Sequence, residues 1–349
     1  MVMLVLNHAW SMSHSKFEEL YFPLLKLPFP MIERTIRKLS ASDVFHFSLI
    51  SSEHLECVKS TTGHALSGAE IRLDVETPHD MKISLIPVNS DVPTFFILLR
   101  NRAQESSDNR KTEAIPQEIN GVPMKIRFYF NRITAYVPPG FESKISLLNY
   151  CFEHLQCQGI SYYFNIPNHR ILAFRPITDV FNQCEVLFIY CNKTMQSKDD
   201  VERFLIGITI SKRFSLNLRG LVQPLNLPLS VFNARTVSIC NMIVLTREML
   251  LSLNCENACF SRASVTSEDL SSFVTNWFKS DGTRFKRLKV YTEVEIGPLD
   301  LSSIPAQNVE PMDNGKTKIL RADGTFAVVF LPEPRIFDIR VSDVEWRFN

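Results

Sequence analysis

Residues 234–240 read Ala-Arg-Thr-Val-Ser-Ile-Cys, residues 258–261 Ala-Cys-Phe-Ser, and residues 285–291 Phe-Lys-Arg-Leu-Lys-Val-Tyr. Each is a short run of β-forming residues, and the segments between them change period. Thr246 to Leu253 has helical character. From Leu270, apolar residues recur at Phe273, Val274, Trp277 and Phe278, the stripe of a helix laid on a core. Thr266, with Asp269 three residues on, reads as that helix's cap, and Ser280-Asp281-Gly282-Thr283 as its closing turn. Strand and helix alternating every ~20 to 30 residues predict coils of the leucine-rich-repeat kind, with an irregular repeat. The centre of this repeat-like region is 225–291.

Upstream the pattern differs. Between 68 and 137 apolar residues alternate: Ile71, Leu73, Val75; Ile83, Leu85; Phe95 to Leu99; Ile126, Phe128, Phe130; Ile133, Ala135, Val137. Connections too short for crossover helices predict antiparallel strands, interrupted by a polar surface loop over 101–120. Ile145, Leu148, Phe152 and Leu155 predict a helix over 143–158. Short β-like runs follow at 160–164, 170–175 and 185–190, then a helix from Lys198 to Ile208. Asp323-Gly324, between apolar runs at 318–321 and 326–330, predicts a hairpin. The fold class is α+β: a small N-terminal three-helix unit, then a mixed sheet and helix domain with leucine-rich-repeat-like α/β coils.

Among 349 residues, 38 Lys and Arg face 37 Asp and Glu, a net charge of +1 that gives no global field for nucleic acid or an anionic membrane. Only 11 residues are Gly, so phosphate-cradling loops are scarce, whereas Phe supplies 26 residues. The 8 cysteines are scattered without a Cys-x-x-Cys pair, which reads as reduced core thiols and predicts a cytoplasmic or nuclear location. The apolar run Met1 to Leu6 has no basic flank and is too short for a signal-peptide core, and no run reaches the ~18 residues of a membrane span. The sequon Asn192-Lys193-Thr194 carries no meaning in that compartment. Residues 1–20 are expected to be a disordered leader.

In Phe22-Pro23-Leu24-Leu25-Lys26-Leu27-Pro28-Phe29-Pro30 the prolines hold Leu27 and Phe29 extended ahead of a helix, and Pro30 suits its first turn. That helix presents Ile32, Ile36 and Leu39 on one face. Ser42 with Asp43 is expected to start a second helix carrying Val44, Phe45, Phe47 and Leu49. Ser51 or Ser52 starts a third with Leu55 and Val58. Three short helices in some forty residues cannot bury all these faces against one another, so the surplus implies docking on another protein.

These residues resemble the F-box pattern: Leu27-Pro28, Ile32, Ile36, Leu39, Asp43-Val44-Phe45, Phe47-Ser48-Leu49 and Ser51 fall in its order. The Trp that many F-boxes carry after that serine is replaced by Glu53-His54-Leu55. Downstream, Pro228 to Arg235, Leu250 to Cys255, Asp269-Leu270, Phe273, Trp277, Asp281-Gly282 and Arg321 to Thr325 are similar to the type-2 F-box-associated region of the large nematode F-box family. The resemblance implies an F-box at 21–62 and a substrate-binding region over 68–349. It further implies a non-catalytic substrate receptor of a Skp–cullin–F-box ubiquitin ligase. Leu24, Leu27, Pro28, Ile32, Ile36, Leu39, Phe45, Phe47 and Leu49 would meet a Skp adaptor, and through it a cullin. An unidentified protein client would bind the C-terminal region. No cofactor, nucleic acid or membrane is implied. The alternative is a protein-binding scaffold, outside any ligase, whose box has diverged.

Other constellations are weaker. Cys151, His154 and Cys157 have the residue types of a zinc site, but spacings of three spread them round a helix and no second pair is near; buried thiols are the better account. Arg284, Lys286, Arg287 and Lys289 interleave with Phe285, Leu288 and Tyr291. That alternation makes one strand face solvated and the other buried, and its cations could grip a negatively charged client. His79 and His169 lie in loops without a hydrolase motif around them.

Overall fold

The computed structural model describes residues 22–77, 80–87, 95–107, 114–129, 132–166, 170–191, 196–218, 221, 223–240 and 243–342. The leader 1–20, His79, Phe130, His169 and the sequon lie outside the described residues. The chain forms two compact units, one of residues up to Tyr163 with Pro176–Phe181, the other of Phe164–Arg175 and the residues from Asn182 onward.

The first unit opens with a 3-10 turn, Phe22–Lys26, and three helices: α1 Phe29–Ile36, α2 Ala41–Ser48 and α3 Ser52–Ser60. Pro30 sits in the first turn of α1, where its missing N–H costs nothing. Ser40 caps α2, accepting from the Asp43 N–H at 3.2 Å, and Ser51 caps α3. The expected starter Ser42 is instead one residue inside α2 and buried, because Ser40 already offers its hydroxyl to the first turn.

Six strands follow: β1 Glu70–Val75, β2 Met81–Ile86, β3 Phe95–Asn101, β4 Ile115–Ile119, β5 Val122–Phe128 and β6 Arg132–Val137. Then come α4 Glu142–His154 and β7 Ile160–Asn165, which pairs with β1. β1–β2, β2–β3, β4–β5 and β5–β6 are antiparallel as expected, but β3 and β6 are parallel. The inserted β4–β5 hairpin supplies the length a parallel connection needs. That hairpin also corrects the 101–120 loop. Asn120 and Gly121 both take positive φ, 47° and 77°, between the closing pair Ile119 and Val122, the turn chemistry a tight hairpin demands. The run at 170–175 is not a strand but a 3-10 turn, Ile171–Phe174, leading into α5, Arg175–Val180. Four apolar residues are too few to fix a period, and Pro176 favours a helix start.

The second unit holds β8 Gln183–Cys191, α6 Lys198–Leu205, β9 Thr209–Leu218, β10 Thr236–Ile239, β11 Ile243–Val244, α7 Arg247–Leu251, β12 Asn257–Ser264, α8 Ser267–Lys279 and β13 Arg287–Thr292. β8, β9, β10, β12 and β13 pair in parallel and in chain order, the arrangement expected of repeat-like coils. Four antiparallel strands extend the sheet beyond β13: β14 Val309–Pro311, β15 Lys316–Leu320, β16 Phe326–Glu333 and β17 Ile336–Ser342, with β17 against β13. The Asp323-Gly324 turn lies where the sequence predicts it, Gly324 at φ 85°. Strand residues alternate into the core (Val237, Ile239, Ala258, Phe260, Leu288, Val290), and Leu270, Phe273, Val274 and Trp277 of α8 are buried with them. Phe278, predicted on that stripe, is only half-buried.

Candidate functional site

The nine residues expected to meet an adaptor divide by exposure. Ile32, Ile36, Leu39, Phe45 and Phe47 are buried, and Leu24 and Leu49 half-buried. Phe45 lies 5.5 Å from the Phe95 ring of β3 and 6.0 Å from Tyr150 of α4, and Phe47 meets His54 edge-on. Tyr150 donates to the Ser48 hydroxyl at 2.7 Å, and burial pushes its phenol above the usual range. The surplus apolar surface expected of three isolated helices is thus largely taken up by the sheet and helix of the same unit. Short helices of this size need such a neighbour, and here the chain supplies it. What stays in solvent is the entry to α1: Pro28 and Pro30 are exposed, and Leu27, Phe29 and Met31 are 37%, 45% and 54% exposed. The latter two were not among the expected contact residues. Their signal is the proline bracketing of the segment.

In the second unit an open groove of about 580 Å³ runs along the outer side of α8, between Arg247 and Leu251 of α7 and the segment 298–303. Thr266 and Asp269 form a reciprocal capping box, each side chain accepting the other's backbone N–H at 3.1 Å, which fixes the start of α8. Ser271 accepts the Asp300 N–H at 2.9 Å, and Thr275 shares a hydrogen bond with Ser303, pinning the far wall. Donation from the Ser302 side chain, then its backbone N–H, holds the Asp300 carboxyl below its ordinary value. A smaller hollow of about 200 Å³ adjoins it, sharing Leu251 and Asn276 and lined with Phe273, Trp277 and Phe285. The motif residues converge here: Arg321 of the C-terminal hairpin lies 5.4 Å over the Trp277 ring, donates to the Gly282 carbonyl at 3.0 Å and pairs with Asp323 at 2.8 Å.

The remaining sequence candidates are placed as follows. Cys151 and Cys157 are buried, and burial pushes both thiols up, Cys157 to about 12, which keeps them protonated in the core. Among the described residues no three His, Cys, Asp or Glu side chains are grouped to hold a metal, and no helix is long and apolar enough to cross a membrane. Of the basic run, Arg284 donates to the Asn233 carbonyl, Lys286 pairs with Glu256, Arg287 pairs with Asp338, and Lys289 lies over Tyr291. Donation by Arg235 holds the Glu256 carboxyl down.

A family model described as F-box associated matches residues 229–290, from the 3-10 turn Leu229–Asn233 through most of β13. No curated protein and no solved structure matches the chain.

Proposed function

We propose that this protein is the substrate-recognition subunit of a Skp–cullin–F-box ubiquitin ligase of the nematode type, acting in the cytoplasm or nucleus. The observation that carries the reading is the F-box-associated match over 229–290. It is supported by the three short helices upstream, whose proline-bounded entry leaves Leu27, Phe29 and Met31 in solvent. In this reading Leu24, Leu27 and Pro28 with their exposed neighbours contact the Skp adaptor, which brings the cullin. Ile32, Ile36, Leu39, Phe45, Phe47 and Leu49 hold the docking helices in place. The second unit captures a protein client and presents its lysines to a ubiquitin-loaded enzyme, so this chain makes and breaks no bond itself.

Co-purification of the full chain with a Skp adaptor tests it. Leu27→Ala, Phe29→Ala and Met31→Ala together should abolish capture while leaving the fold intact, since anchors of this kind cost ~1 to 4 kcal/mol each at an interface. Undiminished capture by the triple variant, or none by the wild type, would refute the reading. A non-ligase scaffold is the second reading, favoured by the burial of Ile36, Phe45 and Phe47 in their own unit. It predicts that no cullin is recruited and no client ubiquitinated.

A further inference from the structure

The open face of the second unit's sheet is chemically unlike its helical side. Strand register places Arg213 of β9, Arg287 of β13, Arg340 of β17 and Lys318 of β15 in one row across it. Lys289 and Lys316 stand in the next row. Two carboxylates stand among these six cations. Asp338, 1% exposed, is bracketed by Arg287 at 2.8 Å and Arg340 at 3.0 Å, and Glu310 pairs with Lys318 at 3.7 Å. Arg213, Lys289 and Lys316 have no carboxylate partner among the described residues. Aromatic rings lie beside the cations: Lys289 is 4.6 Å over Tyr291, Arg340 5.4 Å and Lys316 5.8 Å over Phe330. For a chain of net charge +1, this is a concentrated positive surface.

We infer that this face binds an extended acidic segment of a partner protein, its carboxylates over the row cations and its apolar side chains against the aromatic rings. The dimensions fit. Arg213 and Arg287 stand three strand steps apart, about 14 Å, close to the ~13 Å between residues i and i+4 of an extended peptide. Between them the face offers neutral hydrogen-bonding groups, Thr236 and Asn257. A nucleic acid is disfavoured: phosphate binders commonly make about 6 to 10 contacts, and here two of the cations share Asp338 and a third is paired with Glu310. The inference deepens the receptor reading by giving its client a chemistry, and rests on that reading only in calling the occupant a client.

The test uses the full chain without adaptor, so its outcome is separate from adaptor capture. A fluorescent twelve-residue peptide of alternating Glu and Tyr is titrated by polarisation, beside its Gln-Tyr counterpart and a twelve-nucleotide single-stranded RNA. Saturable, salt-sensitive binding of the acidic peptide is expected, weakened at least about tenfold by Arg213→Glu with Lys289→Glu, because each reversal turns an attraction into a repulsion. Lys289→Arg should retain binding. Lys279→Glu, on the exposed side of α8, should have no effect, which separates this face from the helical groove. Equal binding of the Gln-Tyr peptide, indifference to the double reversal, or tighter binding of the RNA would each overturn the inference.

Discussion

Replacing Phe45 by Ala separates a helix that is part of a folded unit from one that waits for a partner. Phe45 is fully buried, 5.5 Å from Phe95 and 6.0 Å from Tyr150. The neighbours cannot close over the space it leaves: Phe95 is held in β3 by its pairing with Leu85 of β2, and Tyr150 is tied to Ser48 through its hydroxyl. The loss should therefore approach the full cost of an aromatic truncation in a rigid core, about 3–5 kcal/mol. At about 2–4 °C per kcal/mol for a unit of this size, one transition should fall by roughly 6–20 °C. Scanning calorimetry on the full chain reads this directly, and the transition belonging to the second unit should stay in place. Phe45→Leu keeps part of the volume and should cost less. Leu27→Ala, at a solvent-facing site, should stay within about 0.5 kcal/mol. A Phe45→Ala loss below ~1 kcal/mol, or one no larger than that of Leu27→Ala, would refute the burial argument and return α2's apolar face to an external partner.

Removing the cap of α8 with Thr266→Ala should cost about 1 kcal/mol and speed hydrogen exchange in the helix's first turn; unchanged exchange there would contradict the capping box. Stability should also depend on His64, which is buried, accepts the Leu66 N–H at 3.2 Å and is pushed by burial from 6.5 down to about 4. Between those values the unfolded chain takes up a proton the folded chain refuses. Its contribution is thus fully present above pH 6.5 and declines by on the order of 3 kcal/mol as pH falls to about 4. His64→Gln should flatten that slope in urea midpoints measured across pH; parallel slopes for variant and wild type would sink the assignment.

Much of the second unit was legible because its signals are local and agree with one another. Thr266 and Asp269 cap the helix that the Leu270 to Trp277 stripe predicts, and Asp323-Gly324 turns where two apolar runs need a hairpin. What escaped depends on partners distant in sequence. β9 was missed because Lys212 and Arg213 interrupt its alternation, next to the register shift in its pairing with β8. The parallel pairing of β3 with β6 is decided by where the β4–β5 hairpin goes, and the signal for that hairpin, Asn120-Gly121, sat inside a stretch dominated by polar residues. The helix faces at Ile36, Phe45 and Phe47 were correctly read as apolar, but periodicity does not say whether a sheet of the same chain or another protein covers them. The cations of the open sheet face come from four strands and meet only through register; in the sequence they stand together only as two separate pairs, Arg287 with Lys289 and Lys316 with Lys318.

A stack of parallel strands has two raw ends, and each is a template on which another chain can grow. At β13 the end is closed by β17, which runs antiparallel, and the sheet then dwindles through β16 and β15 to β14, three residues ending in Pro311. A proline and an exposed Glu310 on so short a last strand make a poor template for a further strand. The C-terminal hairpins thus act as a stopper on the stack. Cutting the chain after β13 would strip it away and turn a self-limited array into one prone to adding copies of itself edge to edge.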